Sequence, residues 1–460
     1  LALLIRNGEI VTAESRYVAD ILVEGETIAR IGQGLTAPPG AEIAEAAGKL
    51  VFPGFIDPHV HIYLPFMATF AKDTHETASI AALAGGTTTF IEMCCPSRQE
   101  DALEGYELWK RKAEGNSACD YAFHMAVTRF DDKTEAQLRR IVADGTASFK
   151  IFLSYKNFFG IDDGEMYQTL KLARELGVIV TAHCENAELV SRLQAALLAQ
   201  GKTGPEWHEP SRPEVVEMEG TTRFAAFLET TGAAGYVVHL SCAPALKAAL
   251  EAKARGVKIS VESVVPHFLL DKTYAERGGV GAMKYIMSPP LREKRNQRVL
   301  WDALQAGGVD TVGTDHCPFD LAQKEMGAEA FTQIPNGISG IEDRVNLMYT
   351  YGVKRGGLDI HRFVDALSTR PAKLFGLYPR KGAIEVGGDA DLVVYDPEYR
   401  GTISAKRQYV NCDYSGFEGV EIEGRPAVVT VRGRVQVRDG KFVGERGMGK
   451  MLRRKTVYSG

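Results

Sequence analysis

Two histidines separated by a single residue, His59 and His61, close the apolar run Phe52-Pro53-Gly54-Phe55-Ile56-Asp57-Pro58. In an extended chain, residues i and i+2 share a face. The two imidazoles therefore project together, about 7 Å apart along the backbone. Two neutral imidazoles on one side of a strand end can grip one divalent metal ion. An isolated pair of this kind is more often a hydrogen-bonded structural pair, so the chemistry depends on what else reaches the same place.

Further ligand-type residues recur at the ends of other apolar runs. Lys150 lies in Ser148-Phe149-Lys150-Ile151-Phe152-Leu153, His183 in Thr181-Ala182-His183-Cys184-Glu185-Asn186, His239 in Val237-Val238-His239-Leu240-Ser241, and Asp315 follows Gly313-Thr314. Alternation puts Phe149, Ile151 and Leu153 on one side of their strand and Lys150 on the other. A buried ammonium beside divalent cations is strongly disfavoured. Reaction of the neutral amine with carbon dioxide removes the conflict, because an N6-carboxylated Lys150 is anionic and has two oxygens to bridge two ions. A snorkelling lysine is the plainer alternative.

Six such ligands exceed one tetrahedral site and suit a binuclear centre with ions about 3.5–4 Å apart. A pair of ions yields hydroxide near neutrality and polarises a carbonyl. Asp315 is then the candidate to carry a proton to a leaving nitrogen. The expected chemistry is metal-assisted hydrolysis of an amide-like bond. His75, His124, His208, His267 and His361 fall off the strand-end register and read as structural or exposed; His316 reads as support behind Asp315.

These residues need a scaffold that brings several strand ends together. Strand patterns occur at 52–57, 87–93, 121–127, 148–153, 178–182, 236–240, 257–262 and 310–313, with helical patterns at 73–84, 164–176 and 243–254 between them. Strand and helix alternating eight times is the pattern of a (β/α)₈ barrel, whose chemistry sits at the C-terminal strand ends. A doubly wound open sheet is the structural alternative.

The two ends of the chain have a different pattern. Asn7-Gly8 between two apolar runs predicts a hairpin, as do Glu24-Gly25-Glu26, Arg432-Gly433 and Asp439-Gly440. Neither end has enough strands to stand alone. The expected organisation is therefore residues 1–52 and 376–460 joined in one small β-sandwich domain, with the hydrolase barrel in 53–375. The basic stretch Lys450 to Lys455 reads as a solvated tail.

The chain has 460 residues, 45% hydrophobic and 25% charged, with a net charge of -5. That is an ordinary globular composition, without the basic surface of a nucleic-acid binder or a run long enough for a membrane span. The opening Leu1-Ala2-Leu3-Leu4-Ile5-Arg6 lacks a basic n-region, so no signal peptide is expected. Seven scattered cysteines without a Cys-x-x-Cys pair argue against a disulfide framework and for a cytoplasmic, reducing location.

The chain resembles the cyclic amidohydrolases of the metal-dependent amidohydrolase superfamily, and within them the D-hydantoinase and dihydropyrimidinase group. The resemblance rests on Pro53-Gly54-Phe55-Ile56-Asp57-Pro58-His59-Val60-His61, Ala84-Gly85-Gly86-Thr87-Thr88, Ala182-His183-Cys184-Glu185-Asn186, Gly204-Pro205-Glu206 with Ser211-Arg212-Pro213-Glu214, Ser288-Pro289-Pro290-Leu291-Arg292, and Gly313-Thr314-Asp315-His316-Cys317-Pro318-Phe319. It implies a distorted barrel, two zinc ions, a carboxylated lysine and a homotetramer; manganese also suits such ligands. It implies ring opening of 5-monosubstituted hydantoins, to N-carbamoyl amino acids of the D series, and of dihydropyrimidines.

The same resemblance implies roles that spacing does not reveal. Tyr155 would hydrogen-bond the oxyanion. Ser288 and Asn336 would hold the cyclic amide, and Leu64, Phe152 and Phe159 would line the pocket for its substituent. The tail from Lys450 would dock on a neighbouring subunit. Dihydroorotase-like relatives carry a carboxylate-binding arginine two residues after the His-x-His, where this chain has Tyr63. That argues against dihydroorotate and, less strongly, against allantoin.

A non-enzymatic alternative is an assembly protein like the collapsin response mediators, which lack the full ligand set. The run Gly444-Glu445-Arg446-Gly447-Met448-Gly449-Lys450 mimics a P-loop until Met451 stands where Ser or Thr is required. No Gly-x-Ser-x-Gly elbow is present to support a serine hydrolase.

Overall fold

The computed structural model describes residues 2–458. Eight parallel strands lie in consecutive order: Phe55–Val60, Thr87–Cys94, Asp120–Ala126, Ser148–Phe152, Ile179–His183, Ala234–Val237, Ile259–Val264 and Thr311–Gly313. The last meets the first through a parallel bridge between His316 and Val60. The open-sheet alternative is thereby set aside, and all eight strand ends face one mouth.

Helices return the chain between strands where caps fix their ends. Thr74 opens His75–Ala84 with a capping box, and Asp162 does the same for Asp163–Leu176, which Gly177 ends in the left-handed conformation. Ala243–Ala254 has the bounds its pattern predicts.

The first barrel strand begins later than expected. Leu50–Pro53 pairs instead with the terminal strands Ala2–Val11 and Leu392–Thr402. Gly54 is the step between the two sheets. A Cβ there would meet Thr88 Oγ1 at 2.1 Å and Asp391 Cβ at 2.9 Å, so only glycine lets the layers approach. Phe52, on the terminal side, packs its ring 5.5 Å from that of Phe55 and 5.7 Å from that of Tyr395.

Both termini share one nine-stranded sheet, and its core of Leu3, Ile5, Ile21, Val23, Leu392 and Val394 is separate from that of the barrel. The turns at Gly25, Gly433 and Gly440 are hairpins as predicted. Asn7-Gly8 is not one. Ala2–Val11 runs straight through it, with a bulge between Ile5 and Gly8. The Asp20 carboxylate accepts the Asn7 N–H at 2.7 Å, and a Cβ on Gly8 would strike Val51 Cγ2 at 2.4 Å. Tertiary packing, rather than a turn, uses this dipeptide.

The basic tail is only partly solvated and packs along its own chain. Leu452 N–H donates to Tyr121 O at 2.7 Å, Arg454 N–H to Gly145 O at 2.9 Å, and Tyr458 N–H to Gly177 O at 3.1 Å. Leu452 and Arg454 are buried while Arg453 and Lys455 are exposed. The tail is thus an extended segment with two-residue alternation, laid across the starts of the barrel strands, and a count of its charges hides that pattern. No helix among the described residues is long and apolar enough to cross a membrane.

Candidate active site

The strand ends bring the predicted residues together. His59 is the penultimate residue of the first barrel strand and His61 lies just past its end, with ring centroids 5.3 Å apart. Asp315, two residues beyond the last strand, places Oδ1 3.1 Å from both His59 Nε2 and His61 Nε2. The His183 and His239 rings are 4.5 Å apart, and His239 stacks 5.4 Å from His59. Lys150 reaches the same chamber, which His61, His183, His239 and Asp315 also line.

Three of these positions have strained backbones. His239, Asp315 and Tyr155 have φ of 40°, 52° and 54° without being glycine. Such angles cost about 1–3 kcal/mol each and persist where surrounding structure enforces them. Here they turn each side chain into the mouth.

The charges are arranged for a cation. Nε2 of His59, Nζ of Lys150 and Nδ1 of His239 are buried without a hydrogen-bond partner. Donor atoms of His59, His61 and Asp315 lie within 4.8 Å of one another. Buried nitrogens facing a carboxylate with nothing else to bind fit divalent ions. Burial lowers the Lys150 amine to about 8, which makes its neutral form accessible. Burial raises the Asp315 carboxyl, but His59 and His61 outweigh it and hold the group well below its usual range. Burial lowers His59, yet Asp315 and Glu262 raise it to about 9.

A second layer orients the imidazoles, and the sequence reading missed it. His59 Nδ1–H donates to Glu262 Oε1 at 2.7 Å, leaving Nε2 free. His183 Nε2–H donates to Glu185 at 2.7 Å, and Arg212 donates to the same oxygen at 2.6 Å. The available signal was a single acid at each of two barrel strands, Glu262 within Ile259–Val264 and Glu185 two residues past His183. His316, read as support for Asp315, contacts Asp73 at 2.8 Å through Nε2. The off-register histidines are structural: His124 bonds Pro58 O at 2.9 Å, and His208 bonds Met287 O at 2.8 Å.

Residues assigned through the resemblance also converge. Leu64, Phe152, Phe159, Tyr155, Ser288 and Asn336 line the inner chamber. Asn336 Nδ2 donates to Ser288 Oγ at 3.0 Å. Phe152 and Phe159 stack at 5.2 Å, and burial raises the Tyr155 phenol to about 12, so it remains a donor at neutral pH. Phe66, Tyr155 and Asn336 also line the outer cavity of about 660 Å³. Tyr63 turns away from the chamber, with its ring beneath Lys112 Nζ at 4.6 Å and 5.8 Å from that of His75. Among the described residues, no arginine lines the inner chamber.

Barrel and site together define a hydrolase of the amidohydrolase type. The model of the amidohydrolase family matches residues 50–436, and the chain belongs to that family. D-hydantoinase from Geobacillus stearothermophilus is 44% identical over 98% of this chain and 96% of the relative. Dihydropyrimidinase from Rattus norvegicus is 39% identical over 98% of this chain and 89% of the relative. The solved structure of D-hydantoinase (dihydropyrimidinase) from Thermus sp. superposes with a TM-score of 0.98 at 79% identity, covering 99% of this chain and 100% of that one. L-Hydantoinase (dihydropyrimidinase) from Arthrobacter aurescens superposes at 0.90 with 29% identity, covering 98% and 99%. Within its family the chain is a cyclic amide hydrolase of the hydantoinase and dihydropyrimidinase type.

Proposed function

We propose that the chain opens 5-monosubstituted hydantoins, giving N-carbamoyl amino acids of the D series, and dihydropyrimidines. The observation that carries this reading is the convergence of His59, His61, Lys150, His183, His239 and Asp315 on one chamber, with partnerless nitrogens on four of them. These six, with Lys150 as its N6-carboxylate, would hold two zinc ions, and manganese suits the same set. When bound, the ions lower the pKa of water and polarise the scissile carbonyl.

Ser288 and Asn336 hold the planar cyclic amide at the chamber floor. Tyr155 donates its phenol proton in a hydrogen bond to the oxygen on which charge develops. Asp315 accepts a proton from the attacking water and delivers it to the ring nitrogen as the C–N bond breaks. Leu64, Phe66, Phe152 and Phe159 exclude water and receive the exocyclic substituent. Without an arginine in the chamber, an acidic ring such as dihydroorotate has no counter-charge beyond the metal centre. The same reading includes a homotetramer in a reducing cytoplasm; seven free thiols support the compartment, and light scattering tests the assembly.

The test is ring opening by zinc-loaded protein across dihydrouracil, both enantiomers of a 5-substituted hydantoin, allantoin and dihydroorotate, with chiral product analysis. Opening of dihydrouracil and the D-hydantoin, with the acidic ring left intact, is the expected result. Metal-loaded protein that opens neither ring overturns the substrate assignment.

A further inference from the structure

Away from the candidate metal ligands, the buried side chain of Lys324 has no carboxylate partner. Lys324, in the short helix Leu321–Glu325 that follows Asp315 in the chain, is fully buried. Its Nζ donates to three backbone carbonyls: Ile286 O at 2.9 Å, Pro335 O at 2.6 Å and Gly337 O at 2.7 Å. Burial lowers its amine to about 7, and the three accepting carbonyls match the three N–H groups of the ammonium form, whose donors this one cradle saturates. An apolar side chain would fill the same volume without desolvating a charge, and would leave the carbonyls without this donor.

The cradle joins two loops. Ile286 precedes Ser288 by two residues, and Pro335 and Gly337 flank Asn336. The loops also touch directly, where Gly337 N–H donates to Ile286 O at 2.9 Å and Asn336 Nδ2 donates to Ser288 Oγ at 3.0 Å. The residue before Lys324 reaches the other way. Gln323 Nε2 donates to Thr69 Oγ1 at 2.7 Å and Phe70 O at 2.9 Å, on the hairpin that carries Phe66. One short helix therefore ties the polar floor of the chamber to its apolar wall.

We propose that Lys324 is a positioning residue for cyclic-amide binding: its ammonium sets the spacing between the Ser288 and Asn336 loops and so governs KM. This rests on the chamber being a cyclic-amide site, as proposed above. Lys324 touches neither the reacting atoms nor the six candidate metal ligands, so its influence falls on substrate capture more than on the bond-breaking step.

The experiment compares wild type with Lys324→Met and Lys324→Gln for metal content, thermal midpoint, kcat and KM on dihydrouracil and a D-hydantoin. The expected result for Lys324→Met is wild-type metal content, a KM raised about tenfold and a kcat changed less than about threefold. Lys324→Gln, which keeps two N–H donors, falls between wild type and Lys324→Met. An unchanged KM overturns the proposal, as does a parallel fall of kcat and metal content. If neither variant folds, hydrogen exchange on the metal-loaded wild type decides. Slow, shared protection across 286–288 and 336–337 supports the cradle, and loop-like exchange there overturns it. A wild type that opens neither ring sinks the functional reading instead, and the exchange measurement still tests the cradle.

Discussion

Glu262 holds His59 by the nitrogen that faces away from the chamber: Oε1 lies 2.7 Å from Nδ1, while Nε2 points at Asp315 3.1 Å away. The other Glu262 oxygen accepts from Tyr236 OH at 2.8 Å, so the carboxylate is itself fixed. A carboxylate behind a metal-binding imidazole fixes its tautomer and raises its basicity. Glu262→Gln keeps the shape and removes the charge. We expect metal affinity to fall about 10–100-fold, with activity partly restored by excess metal. Chelator competition reads this directly, and an unchanged affinity refutes the role.

Lys150 is buried with its amine unpaired, in reach of four candidate ligands. Lys150→Ala should lose one of two metal ions and nearly all hydrolysis. Metal analysis and the carbamate signal after loading wild type with ¹³C-bicarbonate provide two independent readouts. Full activity with two ions bound to the variant would sink the carbamate.

The parts legible in the sequence are those carried by local periodicity. His59, Val60 and His61 obey a two-residue alternation, and the eight strand patterns fall close to the eight observed strands. Misread parts are those where distant packing decides. Asn7-Gly8 has hairpin chemistry, but Val51 and Asp20 hold it inside one strand. The tail has six residues from Lys450 to Lys455 with four basic side chains, and only docking reveals that Arg454 is an inward one. Tyr63 occupies a position comparable in sequence to a substrate-binding arginine, yet its positive φ of 56° accompanies a ring turned away from the chamber. Glu262 and Glu185 became visible as imidazole partners only once the strands were assembled.

Tyr155 stands between the inner chamber and the outer cavity, its ring 5.3 Å from that of His183. A single donor aimed at developing charge is worth about 10²–10³ in turnover. Tyr155→Phe retains the ring and its 5.3 Å edge contact with Phe66, so the pocket wall is preserved. The expected outcome is a loss of that order in kcat with little change in metal content. A kcat within about twofold of wild type removes Tyr155 from the transition state.

Asp343 gives a stability prediction away from the metal ligands. Burial raises its carboxyl from 3.8 to about 7, against the pull of the Gln408 hydrogen bond at 2.7 Å and of His316. In the unfolded chain this group ionises near its ordinary value, so between about pH 4 and 7 the folded protein binds the extra proton. Stability must therefore fall as pH rises through that window, by an amount on the order of 4 kcal/mol from this residue. Asn cannot ionise and keeps the oxygen that accepts from Gln408. Asp343→Asn should thus unfold at a temperature similar to wild type at about pH 4 and at a higher one at about pH 8. Thermal midpoints of both proteins at the two pH values check this, because other titrating groups cancel in the comparison. Parallel pH profiles would show that Asp343 is ionised in the folded state, with Gln408 and His316 outweighing the cost of burial.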